Sequence, residues 1–461
     1  MTETQRTTDG FRPRIRPADA GDTRPVSVSA RLGRLQFHRS GKFRVLHVAD
    51  VQDGPKVSKD TVRLIEASLD AVRPDLVVFG GNQIAGYDQA FAATFRKRRW
   101  SADGMRDAAA LEGTRAMVRE AAAQLLAPLV ARGVPFAVTY GNHDFQCGLD
   151  NAELDALYRE FPGCVNPPCM PMASDDGMAD VGMADSASDL RAQEAAASDA
   201  SDTRPRRCGV VLPSSSLLPD QTAYPHAPGT FALPVSDEEC SRTVLGLVVF
   251  DSGDYAHGGG FATPDADSIG FLKDVPELVG VPSAVFQHLP MPEYYGLLRE
   301  ASPTAPFAMQ GYRDHADRYY VLDEERTQSG GYLGEGISCP DKSEEFAVLR
   351  DGGFIGVVAG HDHRNGFVGR LDGVLMAATP TCGFGSYGPA PAKRATRLIE
   401  FDIRHPYEPR TQLLEFGELV GKPSSRKAYT YALNAKAPND GEGDDLLRKP
   451  TLWSQLKGLF A

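Results

Sequence analysis

At 461 residues, with 42% hydrophobic and 24% charged residues, the chain can bury a large core and has room for two or three domains. Its net charge of -12 argues against a general nucleic-acid binder, because phosphate neutralisation needs clustered Lys and Arg. The one obvious basic cluster, Arg96-Lys97-Arg98-Arg99, reads as a solvated loop.

Residues 1–29 are rich in Thr, Arg, Asp and Pro and read as a disordered N-terminal segment without a secretory h-region. Phe43–Val48 then reads as a strand that ends in Ala49-Asp50-Val51-Gln52-Asp53-Gly54. Ser58 is the predicted N-cap of a helix whose apolar stripe is Val62, Ile65, Leu69 and Val72, closed by Pro74. Asp75–Phe79 forms a second strand and opens into Gly80-Gly81-Asn82-Gln83. This is a βαβ unit with polar residues at both strand exits, where open α/β sheets place ligands. A helix is predicted over Thr114–Arg132, kinked or interrupted at Pro128 and ended by Gly133. The apolar run Val134–Tyr140 leads into Gly141-Asn142-His143-Asp144.

Residues 170–207 carry seven Asp and one Glu, and no aromatic residue falls between Phe161 and Tyr224. Such a segment has little apolar surface to bury, so it reads as an acidic disordered insertion. Order resumes at Thr230–Pro234 and in the strand Val244–Phe250, which ends in Asp251-Ser252-Gly253-Asp254-Tyr255. Ser283–Gln287 leads into His288, and Phe354–Ala359 leads into Gly360-His361-Asp362-His363. Gly373–Ala378 and Arg397–Ile403 are closing strands. The core domain is thus predicted over residues 30–434. Residues 435–461 form a linker and a short amphipathic helix with Leu452, Trp453, Leu456, Leu459 and Phe460, docked on its own domain.

Four of the ten histidines follow apolar strands, and His361 and His363 stand two apart on one loop. Imidazole, amide and carboxylate donors together suit Mn, Fe or Zn. Seven cysteines without a CxxC pair fit structural thiols in a reduced, cytoplasmic setting. The longest clean apolar stretch, Val244–Phe250, is too short to span a bilayer.

In this order, Asp50-x-Gln52, Gly81-Asn82, Gly141-Asn142-His143-Asp144, His288 and Gly360-His361-Asp362-His363 resemble the calcineurin-like metallophosphoesterases. Asp251-Ser252-Gly253-Asp254-Tyr255 and His288-Leu289-Pro290-Met291-Pro292-Glu293-Tyr294 resemble the purple-acid-phosphatase-like branch. The likeness runs from Phe43 to Ile403, apart from the acidic insertion. It implies an α/β fold, a four-layer αββα sandwich of two mixed β-sheets flanked by helices. It also implies a hydrolase that acts on a phosphomonoester or phosphodiester, as a small molecule or a phosphoprotein, with one or two divalent cations per chain. Asp50 and His363 would hold the first cation, and Asn142, His288 and His361 the second. A metal-activated hydroxide would attack phosphorus in line. His143 would act as general acid with Asp144 orienting its ring, and Asp362 would shape the loop.

Two ligand positions depart from the family, which has histidine where this chain has Gln52 and a metal-bridging aspartate where it has Asn82. A neutral amide bridges two cations poorly. Three expectations follow: an active phosphoesterase with an altered first metal position, a weakly active or non-catalytic phosphate- or metal-binding descendant, and a mononuclear hydrolase using Asn142, His288 and His361.

Overall fold

The computed structural model describes residues 24–101, 107–168, 208–426 and 428–430. The predicted acidic insertion, the C-terminal amphipathic helix and the first 23 residues lie outside them. Two sheets carry the fold. One has five strands in the order His405–Glu415, Ala395–Asp402, Lys42–Val48, Leu76–Gly80, Phe136–Thr139. The other has eight and runs from Val368–Leu371 through Val374–Ala378, Gly356–Ala359, Ser283–Gln287 and Thr243–Phe250 to Thr230–Ser236 and two further strands.

Side-chain alternation stacks these sheets into layers. Along the first sheet, Val45, Leu76 and Val78 point into one apolar cluster with Leu247, Val249, Phe286 and Val358 of the second. Their neighbours Leu46, Val77 and Phe79 point the other way, onto the helices Lys59–Val72 and Ala108–Arg132 through Ile65, Leu69 and Leu125. On the far face of the second sheet, Val248, Phe250 and Val285 pack against Phe271, Leu272 and Val275 of the helix Ala266–Val279. The result is the expected four-layer αββα sandwich. Among the described residues no helix is long and apolar enough to cross a membrane.

The strands that matter for chemistry are parallel within each sheet: Lys42–Val48, Leu76–Gly80 and Phe136–Thr139 in one, and Thr243–Phe250, Ser283–Gln287 and Gly356–Ala359 in the other. Parallel strands release their chains at one edge, so the polar loops gather there.

Three local expectations change. Residues 24–29 are folded, because Ser27 and Ser29 serve the buried Asp75: Ser27 Oγ donates to its carbonyl at 3.0 Å and Ser29 Oγ to its Oδ1 at 3.0 Å. The long helix starts at Ala108, capped by Asp107, and runs through Pro128 to Gly133. Ser58 holds the N-cap position of Lys59–Val72 without a side-chain cap bond. Asp53 serves that helix end instead, accepting from Ser58 N–H at 3.0 Å and from Thr61 Oγ1 at 3.1 Å.

Candidate metal centre

Four of the nine described non-glycine residues with left-handed backbone are Asp50, Gln52, Asn82 and His361. Such backbone persists only where surrounding contacts over-determine it, and here those contacts run between the two sheets. His288 Nδ1 donates to the Gly80 carbonyl at 3.0 Å. His361 N–H donates to Asp50 Oδ2 at 2.8 Å. Gly81 lies under the His288 ring with φ +91°, and a Cβ there would come within 2.5 Å of Nδ1.

These ties fix which atoms face inward. With Nδ1–H committed to Gly80, His288 turns an unprotonated Nε2 toward Asn142 Oδ1, 3.0 Å away, and His361 Nδ1, 3.2 Å away. Asn142 Nδ2 donates to the Tyr255 hydroxyl at 2.8 Å, which pins its oxygen inward. His363 Nδ1 donates to the Tyr387 carbonyl at 2.8 Å while its ring stacks on Tyr387. Its Nε2 stands 3.4 Å from Asp50 Oδ1. The predicted residues Asp50, Asn82, Asn142, His288, His361 and His363 therefore converge. Gln52 joins them through its backbone, N–H to Asn82 carbonyl at 2.8 Å, while its buried Oε1 has no hydrogen-bond partner.

The predicted His143–Asp144 pairing is replaced. Asp144 accepts backbone N–H groups, from Asn82 at 2.7 Å, Gly141 at 2.8 Å and Ile84 at 2.9 Å, and so shapes two loops. Gln146 holds the imidazole: its Oε1 accepts His143 Nδ1–H at 2.8 Å, and its Nε2 donates to the Lys97 carbonyl at 3.1 Å. Three residues on in a tight 3-10 turn, Gln146 eclipses His143, a spacing signal that was present in the sequence. Tyr255 had no such signal, since its partner Asn142 is 113 residues away. Asp362 accepts from Asn365 Nδ2 at 3.2 Å in its own loop and from Ser338 N–H at 3.1 Å in a neighbouring one.

The basic cluster is also not a solvated loop. The Arg98 guanidinium lies 3.8 Å over the Tyr255 ring, and that of Arg99 lies 4.6 Å over Phe145. Arg99 further pairs with Asp254 and donates to Asn151 at 3.0 Å. Planar guanidinium groups stack on aromatic faces, which draws this segment onto the rim of the centre.

Burial works against protonation of three imidazoles. It lowers His288, pushes His361 well below its ordinary value, and takes His143 down to about 4 against the Gln146 bond. Burial pushes the Asp50 carboxyl up, but His363, His288 and His361 pull it further down, and the net leaves it below the usual carboxylate range.

Asn142 Oδ1, His288 Nε2 and His361 Nδ1 crowd together with spacings of 3.0 and 3.2 Å. Donors on one ion at bond lengths of about 2.1 Å lie roughly 3.0–3.4 Å apart, so this trio fits a divalent cation. Among the described residues no three His, Cys, Asp or Glu side chains form a metal-holding group; the set is completed by the amide of Asn142. A pair of cations fits worse. Two dications about 4 Å apart repel by roughly 16 kcal/mol at an effective dielectric near 20. Asp50 is the only carboxylate among the converging donors, and Asn82 turns an N–H group toward it at 3.1 Å.

A family model described as calcineurin-like phosphoesterase matches residues 43–183. Probable inactive purple acid phosphatase 14 of Arabidopsis thaliana is 19% identical over 408 residues, 80% of this chain and 78% of that protein. Probable inactive purple acid phosphatase 29 of the same plant is 20% identical over 425 residues, 82% of each. Phosphatase DCR2 of Saccharomyces cerevisiae is 27% identical over 155 residues, 30% of this chain and 22% of that protein. Together with the ordered strand-exit motifs and the four-layer sandwich, these likenesses agree: residues 43–183 match the calcineurin-like phosphoesterase model, and the chain is similar over most of its length to proteins of the purple-acid-phosphatase-like branch.

Proposed function

We propose that the chain is a metal-dependent phosphoesterase that hydrolyses a phosphomonoester or phosphodiester. The observation that carries this reading is the convergence of Asn142 Oδ1, His288 Nε2 and His361 Nδ1, beside a buried His143 whose Nδ1 is already committed to Gln146. A divalent cation (Mn, Fe or Zn) on those three donors supplies charge neutralisation at the phosphoryl oxygens. His143 is left with Nε2 as the ring nitrogen that meets the ester. An anionic phosphate ester beside it raises its affinity for a proton, which it hands to the leaving oxygen as a water oxygen bonds to phosphorus and the ester P–O bond breaks. Gln146 keeps the ring in that orientation, with Tyr87 and Tyr255 packed edge-on against it.

The second reading is a phosphate- or metal-binding descendant without turnover. It is favoured by the Asn82 amide where the family has an aspartate, and it agrees with the word "inactive" in the names of two relatives. Turnover of p-nitrophenyl phosphate and bis-p-nitrophenyl phosphate after loading with Mn, Fe or Zn separates the two. Turnover that His143→Ala abolishes without lowering the melting temperature supports the phosphoesterase. Phosphate binding with no turnover under any metal supports the descendant.

A further inference from the structure

Asn82 stands between the two halves of the centre, and its amide has a fixed direction. Its Oδ1 accepts the His143 backbone N–H at 2.9 Å. Turning the amide over would set its NH2 against that N–H, two donors face to face. The amide nitrogen therefore points inward, and its two hydrogens reach Asp50 Oδ1 at 3.1 Å and Asn142 Oδ1 at 3.2 Å. Each Asp50 oxygen takes an N–H: Oδ1 that of Asn82 and Oδ2 that of His361 at 2.8 Å, with His363 Nε2 3.4 Å from Oδ1. The other inward-facing atoms are Asn142 Oδ1, which has a second lone pair beyond the one that Asn82 uses, His288 Nε2 3.0 Å from it, and His361 Nδ1 3.2 Å from that nitrogen.

We infer that the Asn82 amide nitrogen takes the place of one cation and that the centre binds a single divalent cation, on Asn142, His288 and His361. This rests on reading the site as a cation centre, and it sets the stoichiometry that the proposed function leaves open. Asn82 then does by hydrogen bonding what a shared metal does by coordination: it ties the loop after Lys42–Val48 to the loop after Phe136–Thr139. His363 belongs to Asp50 and Tyr387 rather than to the bound ion. An aspartate at position 82 would present oxygen at the same place and draw in a second ion.

The test uses the full chain, stripped with chelator and titrated with Mn2+, read by calorimetry, elemental mass spectrometry and electron paramagnetic resonance. The parent should bind one Mn2+ per chain with the hyperfine pattern of an isolated ion. His363→Ala should keep that ion, whereas His288→Ala and His361→Ala should weaken binding by more than about tenfold. Asn82→Asp should take up two ions with an exchange-coupled spectrum. Two coupled ions in the parent, no ion at all, loss of the ion in His363→Ala, or a single ion in folded Asn82→Asp each overturn the inference. Should Asn82→Asp fail to fold by circular dichroism, the parent stoichiometry and the contrast between His361→Ala and His363→Ala still decide it. A parent that binds one ion and hydrolyses nothing keeps this inference and removes the phosphoesterase; two coupled ions with turnover do the reverse.

Discussion

Asp144 offers the sharpest check on how the centre is held, because two substitutions separate a loop scaffold from a catalytic partner. Its Oδ2 accepts from Asn82 N–H at 2.7 Å and Gly141 N–H at 2.8 Å, and its Oδ1 from Ile84 N–H at 2.9 Å, all in a residue that is 1% exposed. Asp144→Ala strands three buried donors, each costing about 1–3 kcal/mol when unmet. Water entering the vacated space relieves part of this, so a loss of about 3–5 kcal/mol is expected. Asp144→Asn keeps one oxygen. Placed at the Oδ2 position it serves Asn82 and Gly141, and the new NH2 opposes the Ile84 N–H at a cost of about 1–3 kcal/mol. Urea unfolding should thus rank the parent above Asp144→Asn and Asp144→Asn above Asp144→Ala. With a slope of about 3 kcal/mol per M, the alanine midpoint falls by about 1–1.7 M. An Asp144→Asn protein with an unchanged midpoint and reduced turnover would refute the scaffold role and restore Asp144 as the partner of His143.

Three further outcomes are expected. Burial pushes Glu345 up to about 8, with Gln287 opposing and Glu293 adding; the folded chain keeps this proton while the unfolded chain releases it above about 4.5. The contribution of this group to stability should therefore fall as pH rises from about 4.5 to 8. Glu345→Gln should remove that loss and gain about 2–3 kcal/mol near pH 7.5, read as the difference between variant and parent urea midpoints at pH 5 and 8; a difference that is the same at both pH values contradicts it. Asp75→Ala removes the acceptor of Ser29 Oγ at 3.0 Å, Arg44 N–H at 2.9 Å and His38 Nε2 at 2.7 Å. It should cost about 2–4 kcal/mol and expose residues 24–38 to limited proteolysis, with unchanged cleavage as the contrary result. Gly81→Ala places a Cβ 2.5 Å from His288 Nδ1 and should push the ring off the Gly80 carbonyl. Mn2+ affinity then drops by more than about tenfold, and an unaltered isotherm speaks against the tie between Gly80 and His288.

Much of the fold was legible because it depends on local pattern. Runs such as Leu76–Gly80 and Thr243–Phe250 are almost wholly apolar, as strands buried on both faces must be. Each ends in glycine or polar residues that mark the exit. The converging residues were legible for the same reason: parallel strands deliver their C-terminal ends to one edge, so Asp50, Asn142, His288, His361 and His363 could be grouped without knowing a single distance. What stayed hidden were contacts set by side-chain direction across long separations. Arg98 and Arg99 looked like solvated charge because nothing nearby in sequence names Tyr255 or Asp254 as their partners. Asp53, three residues after Asp50, turns to the helix start and accepts the Ser58 N–H.

Asn82 shows where sequence reading reaches its physical limit. Its identity alone says that a charge is missing between the cations. Whether the amide meets that space with an acceptor or a donor depends on one backbone hydrogen, the N–H of His143 at 2.9 Å, which belongs to a loop from a different strand. An acceptor would have left a weakened version of a two-cation centre. A donor makes a different centre, in which Asp50 and Asn142 are held by N–H bonds at 3.1 and 3.2 Å and the loops stay joined without a second ion. The substitution at position 82 therefore bears on both metal binding and the stability of the loops, and a chelator should release the ion without unfolding the edge of the sandwich that holds it.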